Sequence, residues 1–493
     1  MTPLNVAMPG HPRYQPKGLI PFFGYDYYAH WLLVVELAIF RVSCRFGLIS
    51  ADRGKLLTSE IEQQLLNHVT TTEMDRLEFG DESAGIKGTH HDIEALKRAS
   101  ERYLPSPLQV LFHFGVTSWD VVATAISLML LRSYREVIRP LIIRWGNALA
   151  DRTEHYAETV MLGRTHGQPA NPITVGHWLA YPLGRLIDVL THLDQFASEL
   201  TGKCSGPVGA SNAMVAFGQD ARALEQEVLT ELGLSQPIIS TQINPPESWS
   251  RYLHELVQLT GVMAQLATDI RLLYIPEIGE VGVATLGFDP AVHTGSSIMS
   301  HKRNPIDPEN VCGMHEVAKS QLGLVSSLAI SWLQRDLAGS SVSRYLPIIP
   351  ICATYALQKM IKTTEALDIN TERTQQNLAT QGDIILSELL QLALKHYGYT
   401  GNAHQLVNKL VSEAQKTGNR LMETTRCILE NNRTDLLGPD LELSELETSW
   451  LRLISDEDGL GLNSLMREPI RYIGLSADNA RRVSALWREQ AAA

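Results

Sequence analysis

The densest chemistry in the chain lies in Gly295-Ser296-Ser297-Ile298-Met299-Ser300-His301-Lys302-Arg303-Asn304-Pro305. Hydroxyls, cations and an amide crowd into one short run. Gly282, Gly287 and Pro290 precede it, and Asp307 stands where a helix should begin. A cationic, donor-rich loop beside a helix N-terminus suits a carboxylate or phosphate. A flexible surface loop has the same composition. In Gly163-Arg164-Thr165-His166-Gly167-Gln168-Pro169 the glycines and proline predict a tight, non-helical place for His166, just before a helix. Thr165 and Gln168 beside it make proton transfer an alternative to a merely structural or exposed histidine. Gly115-Val116-Thr117-Ser118-Trp119-Asp120 and Thr89-His90-His91-Asp92 both fall at helix starts, where such residues also serve as caps. The run Arg335-Asp336-Leu337-Ala338-Gly339-Ser340-Ser341-Val342-Ser343-Arg344 reads as a phosphate site or as a polar turn between helices.

The elements that must hold these groups are helices. From Tyr252 to Leu273 the apolar positions Tyr252, Leu256, Leu259, Met263, Leu266, Ile270 and Leu273 follow a heptad seam, the pattern of nearly parallel bundle helices. Val121 to Leu131 is apolar on nearly every face, which predicts a buried helix. Pro172–Ala197 and Glu309–Leu333 also read as long, weakly charged helices. So much uncharged helix in an acidic chain predicts an oligomer, with a large monomeric core as the alternative. Strand signals are scarce. The first 30 residues read as irregular. Beyond about residue 370 the helices shorten: Ile384–His396, Ala403–Thr417 and Arg420–Glu430, with loops at Asn431–Asp440 and Ser455–Gly461. The expected division is 1–116, 117–370 and 371–493.

The net charge of −12 argues against a nucleic-acid or acidic-membrane partner, whose footprint is basic. It leaves room for a local anion pocket. The 5 cysteines form no CxxC pair, so neither a zinc site nor a disulfide framework is expected. No apolar run approaches the roughly 18–20 residues of a membrane span. The nearest, Trp31–Val42, is interrupted by Glu36. Met1–Gly18 lacks the apolar core of a signal peptide. The expectation is a reduced, soluble, cytoplasmic protein.

Together these segments resemble the fumarase/aspartase superfamily of lyases, and most closely its adenylosuccinate lyase branch. GSSIMSHKRNP is similar to the signature G-S-S-x-M-P-x-K-x-N-P. GRTHGQP and GVTSWD resemble the other shared blocks, while THHD and RDLAGSSVSR resemble blocks of the adenylosuccinate branch. The order along the chain is also the family's. The resemblance implies an all-α fold of three helical regions around a central long-helix bundle. It implies a homotetramer with sites built from different subunits, a dicarboxylate substrate, and no metal or organic cofactor. It implies β-elimination across a C–N bond of a succinyl group: adenylosuccinate to AMP and fumarate. By position Ser296 matches the general base, His166 the general acid, and Glu309 the carboxylate that orients that acid. His91 matches a second active-site histidine. Lys302 and Asn304, with Thr117 and Ser118 opposite, match the groups that stabilise the carbanion's carboxylate. Thr165 and Gln242 match substrate contacts, and Arg335, Ser340 and Arg344 a phosphate pocket.

The departures gather on the leaving-group side. Gly339 and Ser343 replace the usual His and Glu, and Ile243-Asn244-Pro245-Pro246 follows Ser240-Thr241-Gln242 in place of V-I-Q-R-D. Ser300 replaces a proline and Ala123 an aspartate. Arg13-Tyr14 only loosely matches an N-terminal nucleotide contact. A lyase acting on another N-substituted or nitro-substituted succinate is therefore a rival, and an inactive helical assembly protein a third reading.

Overall fold

In the computed structural model the described residues are 12–286, 299, 301–431, 443–456 and 458–492. They are mostly helical, with one two-stranded sheet. The elements that position the chemistry are, in chain order, α1 (Tyr28–Arg45), α2 (Asp92–Glu101), α3 (Ser118–Ser133), β1 (Val160–Thr165), β2 (Gln168–Thr174), α4 (Val175–Ser198), α5 (Glu247–Leu273), α6 (Ile306–Ser320), α7 (Ala338–Ser343) and α8 (Thr371–Gln381). The chain forms two compact units. The first comprises Met1–Trp145, Arg185–Thr268 and Ile306–Lys362; the second comprises Gly146–Gly184, Asp269–Pro305 and Thr363–Ala493. Each draws on separated stretches of chain, so neither coincides with one of the three sequence regions.

In the first unit α3 packs against α1. Every residue of α3 from Trp119 to Leu131 is buried. A single chain therefore already covers this helix on all faces, and its burial needs no second subunit. Its polar residues are satisfied inside: Thr124 Oγ1 donates to the Lys203 carbonyl at 3.0 Å and Ser127 Oγ to the Thr201 carbonyl at 2.7 Å. The heptad positions of α5 are all buried. Tyr25–Arg45 reaches a membrane span's length and apolarity by composition, contrary to expectation, but about two thirds of it is buried within the chain. Glu36 is buried in α1 at 1% exposure, and its Oε1 lies 2.6 Å from Nδ1 of His113.

Two helices differ from expectation. The one predicted over Pro172–Ala197 begins only at Val175, because Pro172–Thr174 pair with Leu162–Val160 in an antiparallel hairpin. A two-stranded sheet has only edge strands, which tolerate the missing N–H groups of Pro169 and Pro172. The one predicted over Glu309–Leu333 stops at Ser320, with a short helix at Leu322–Ser327 after it. Beyond Ala329 three backbone N–H groups turn to side chains instead. Trp332 N–H donates to Asp336 Oδ2 at 3.2 Å, Ala338 N–H to Asp336 Oδ1 at 2.8 Å, and Asp336 N–H to Ser331 Oγ at 3.0 Å. Such local bonds compete with the helix. Leu333 completes the break with a left-handed φ of 47°.

The second unit has its own core, where Leu386, Leu390, Leu394, Leu410, Leu453 and Met466 are fully buried. The short helices there lie at Ser387–His396, Ala403–Thr417 and Leu421–Glu430, close to expectation. The loop expected over Asn431–Asp440 falls, beyond Asn431, outside the described residues.

Candidate active site

The first unit gathers most of the candidate binding residues. Thr117 is the N-cap of α3 and Ser118 its first residue; the Thr117 N–H donates to Asp120 Oδ2 at 2.8 Å. Asp120 is fully buried and accepts three more bonds: from the Lys203 ammonium, from Ser205 N–H at 3.1 Å and from Gly206 N–H at 3.1 Å. Lys203 is also fully buried. This ion pair locks the start of α3 to the Ser205–Gly209 turn. Ser118 Oγ then lies 3.3 Å from Nε2 of His91, the N-cap of α2. His91 Nδ1 stands 3.4 Å from Asp92 Oδ1.

Asp92 ties this pair to α7. Its Oδ2 accepts from Arg344 Nη2 at 3.2 Å and from Tyr28 Oη at 3.3 Å. Arg344 Nη1 also donates to Ser340 Oγ at 3.0 Å and to the Ser340 carbonyl at 2.8 Å. Arg335 lies over the Trp119 ring, 4.1 Å from its centroid, a cation–π contact. Burial first, and then the like charge of Arg344, push the Arg335 guanidinium below its ordinary value. Gln242 N–H donates to the Gln334 carbonyl at 3.2 Å, which sets it beside Arg335. So His91, Ser118, Gln242, Arg335, Ser340 and Arg344 meet in one region, although the chain separates them widely. Glu309 opens α6 in the same unit and is exposed.

The second unit carries the hairpin. Thr165 pairs with Gln168, leaving His166 and Gly167 as the two-residue turn. Their φ values are 55° and 72°, the positive pair that a type I′ turn requires. Gly163 sits at a register shift between Leu162 and Arg164, and a Cβ there would meet the Asn171 carbonyl at 2.4 Å. Thr165 and His166 are exposed. Among the described residues no hydrogen bond reaches the His166 ring. Behind the tip, Arg164 grips Glu280 with two bonds, at 2.6 and 3.0 Å. Lys302 and Asn304 are exposed, and Lys302 N–H donates to the Met299 carbonyl at 3.0 Å. Ser296 lies outside the described residues. Near the N-terminus Tyr14 packs edge-on against Tyr355 at 5.5 Å.

Similarity to known proteins bears on this geometry. A family profile described as lyase matches residues 60–318. The chain is 32% identical over 415 residues to an adenylosuccinate lyase of Archaeoglobus fulgidus, covering 84% of this chain and 87% of that one. The chain belongs to this lyase family. It is also 29% identical over 418 residues to the adenylosuccinate lyase of Methanocaldococcus jannaschii, covering 84% of this chain and 86% of that one. Its fold matches a fumarate lyase from Mesorhizobium sp. BNC1 with a TM-score of 0.76 at 20% identity, over 97% of this chain and all of that one. It also matches a 3-carboxy-cis,cis-muconate lactonizing enzyme from Pseudomonas putida, with a TM-score of 0.75 at 19% identity over 97% and 98% of the two chains. The all-α fold of the fumarase/aspartase superfamily is thus borne out; among the described residues the hairpin is the one sheet.

Within this lyase fold, several residues escaped the sequence reading. Asp120 and Lys203 are separated by 83 positions, and Tyr28 and Asp92 by 64. Asp120 and Asp92 stand inside the quoted blocks, where capping was an adequate account of both. Lys203 and Tyr28 carried no local signal. Two of the departures prove to be internal. Ser343 is buried and its Oγ donates to the Ser340 carbonyl at 3.0 Å. Asn244 is buried and its amide donates to Thr201 at 2.6 and 2.9 Å.

Proposed function

We propose that this lyase removes the amine from adenylosuccinate, giving AMP and fumarate. The observation that carries the reading is the pairing of Arg335 and Arg344 around Ser340. Two guanidiniums that repel each other, of which only Arg344 is ion-paired to Asp92, favour a dianionic phosphate. Ser296 takes the Cβ proton of the succinyl group. Lys302, Asn304, Thr117 and Ser118 donate to the carboxylate on which the negative charge develops. The C–N bond then breaks as the C=C bond forms. The electron pair goes to nitrogen, which takes a proton from His166. Glu309 orients that histidine, and His91, held between Asp92 and Ser118, supports the substrate. Thr165 and Gln242 contact the substrate as well.

The same reading includes three helical regions, a cytoplasmic location and a homotetramer that shares its sites between subunits. The stretch before Arg335 supports the assembly, because it exposes Ile330 and Trp332 at 79% and Leu333 at 90%. One observation favours the rival substrate class. Gly339 offers no side chain beside Ser340, so contacts to a large leaving group are fewer on that side. Incubation with adenylosuccinate, followed by ultraviolet absorbance for AMP and fumarate, tests the reading. Fumarate from nitrosuccinate or another N-substituted succinate, with none from adenylosuccinate, would transfer the conclusion to the rival.

A further inference from the structure

We propose that Arg164, Glu280 and Asn377 are positioning residues for His166, an inference that rests on the reading of His166 as the acid. Glu280 is buried at 1% exposure, and its carboxylate meets the Arg164 guanidinium through both oxygens. Asn377 on α8 donates to Glu280 Oε1 at 2.8 Å and to the Ile278 carbonyl at 2.9 Å. The backbone of Glu280 is itself fixed: its N–H donates to the Leu273 carbonyl at 2.9 Å, and its carbonyl accepts from Asn370 N–H at 2.9 Å. Arg164 also donates to the Leu162 carbonyl at 3.1 Å, across the register shift. The clamp thus joins β1, the end of α5 and α8, and its grip on the hairpin lies two residues before His166.

The base of the hairpin is packed, with Met161 and Leu162 buried, but packing does not hold the tip. The hairpin backs onto a cavity of about 680 Å³, lined among others by Leu162, Arg164, Gly167 and Pro169. A turn beside open volume can tilt. A buried bidentate ion pair fixes direction as well as distance, which van der Waals contact around a void does not. Arg164 and Glu280 are separated by 116 positions, so the clamp forms only in the folded unit. None of the three is assigned to touch substrate. Their effect passes through the place of the imidazole.

A double-mutant cycle tests this. Glu280→Gln should lower kcat on the amine-releasing substrate roughly 10- to 100-fold, as expected for a displaced proton donor. KM should rise much less than kcat falls, because Thr165 is the one proposed substrate contact next to His166 on this hairpin while the others lie elsewhere. In a His166→Gln background the same change should cost less than about twofold, because the group it positions is already gone. An equal loss in both backgrounds would overturn the proposal and leave Glu280 a general stabiliser. Asn377→Ala, which keeps the ion pair, gives a milder copy of the cycle should Glu280→Gln fold poorly. Hydrogen exchange of the 160–169 peptide supplies a readout without catalysis. It should accelerate about tenfold in the variant while the C-terminal helices keep their protection. If the wild type releases fumarate from no succinyl compound, the functional reading fails. The clamp then stands or falls on exchange alone, and an unchanged hairpin refutes it.

Discussion

In the first unit His91, Ser118, Asp92, Ser340 and Arg344 are bonded to one another, and Arg335 is stacked on Trp119. In the second unit His166 stands exposed on a two-residue turn, and only the residues behind it are paired. Groups that bind can be assembled in advance, because their partners hold them in place until a ligand takes over some of the bonds. A group that moves a proton must keep its ring open to the reacting atom, so order has to be imposed from behind. One region therefore stores its order within the site, and the other beneath it.

The sharpest break in that contrast is His166→Gln. Removal of a general acid should lower kcat by about 10²- to 10⁴-fold. Because the ring is exposed, the unfolding free energy should stay within about 0.5 kcal/mol of the wild type. Steady-state rates beside urea titrations read both numbers. A large loss of stability would show that the tip is structural after all. The reverse pattern belongs to Lys203→Met, which strands Asp120 without its cation at zero exposure. Breaking a buried pair costs about 3–5 kcal/mol. Urea titration should show that loss in full, and the Asp120→Asn, Lys203→Met double variant should recover part of it.

The sequence made the helical class and most of the first unit's cluster legible, because those residues sit in compact blocks of unusual composition. The buried heptad positions of α5 and the apolar α3 could be read by period and by polarity. The hairpin could not, since a strand pair of two edges needs no alternating pattern, and its prolines argued against any ladder. The end of α6 was missed because Asp336 and Ser331 divert backbone groups that apolar periodicity assigned to a helix. The pairs Lys203–Asp120 and Arg164–Glu280 were illegible for a plainer reason. A buried ion pair is defined by two distant residues, and neither looks special alone.

Arg344→Ala probes the assembled side. Hydrogen bonds to a charged group contribute about 1.5–3 kcal/mol. KM for a phosphate-bearing substrate should therefore rise by roughly tenfold or more, with kcat nearly kept. Because Asp92 already holds Arg344, the rise should be steeper for Arg335→Ala, whose cation rests on a ring. An unchanged KM in both variants would remove the phosphate from the reading and favour a small succinate.

The smallest effect comes from a pair that supports the assembled side from below. His113 follows Phe112 and leads into Thr117 and Ser118. Burial pushes its imidazole down, but the charge and hydrogen bond of Glu36 together outweigh burial and hold it above the ordinary 6.5. Lys97 opposes this shift and Asp120 adds to it. A raised value in the folded state means that the protonated pair stabilises fully below the unfolded value. The stability is then lost as pH rises through the folded value. Urea titrations from about pH 6 to about pH 9 should show the wild type weakening on the alkaline side relative to Glu36→Gln, in which the pair is gone. Identical slopes in the two proteins would mean that His113 is neutral when folded. The His113–Glu36 contact would then be a hydrogen bond alone, and the ion pair that steadies the start of α3 would be that of Asp120 and Lys203.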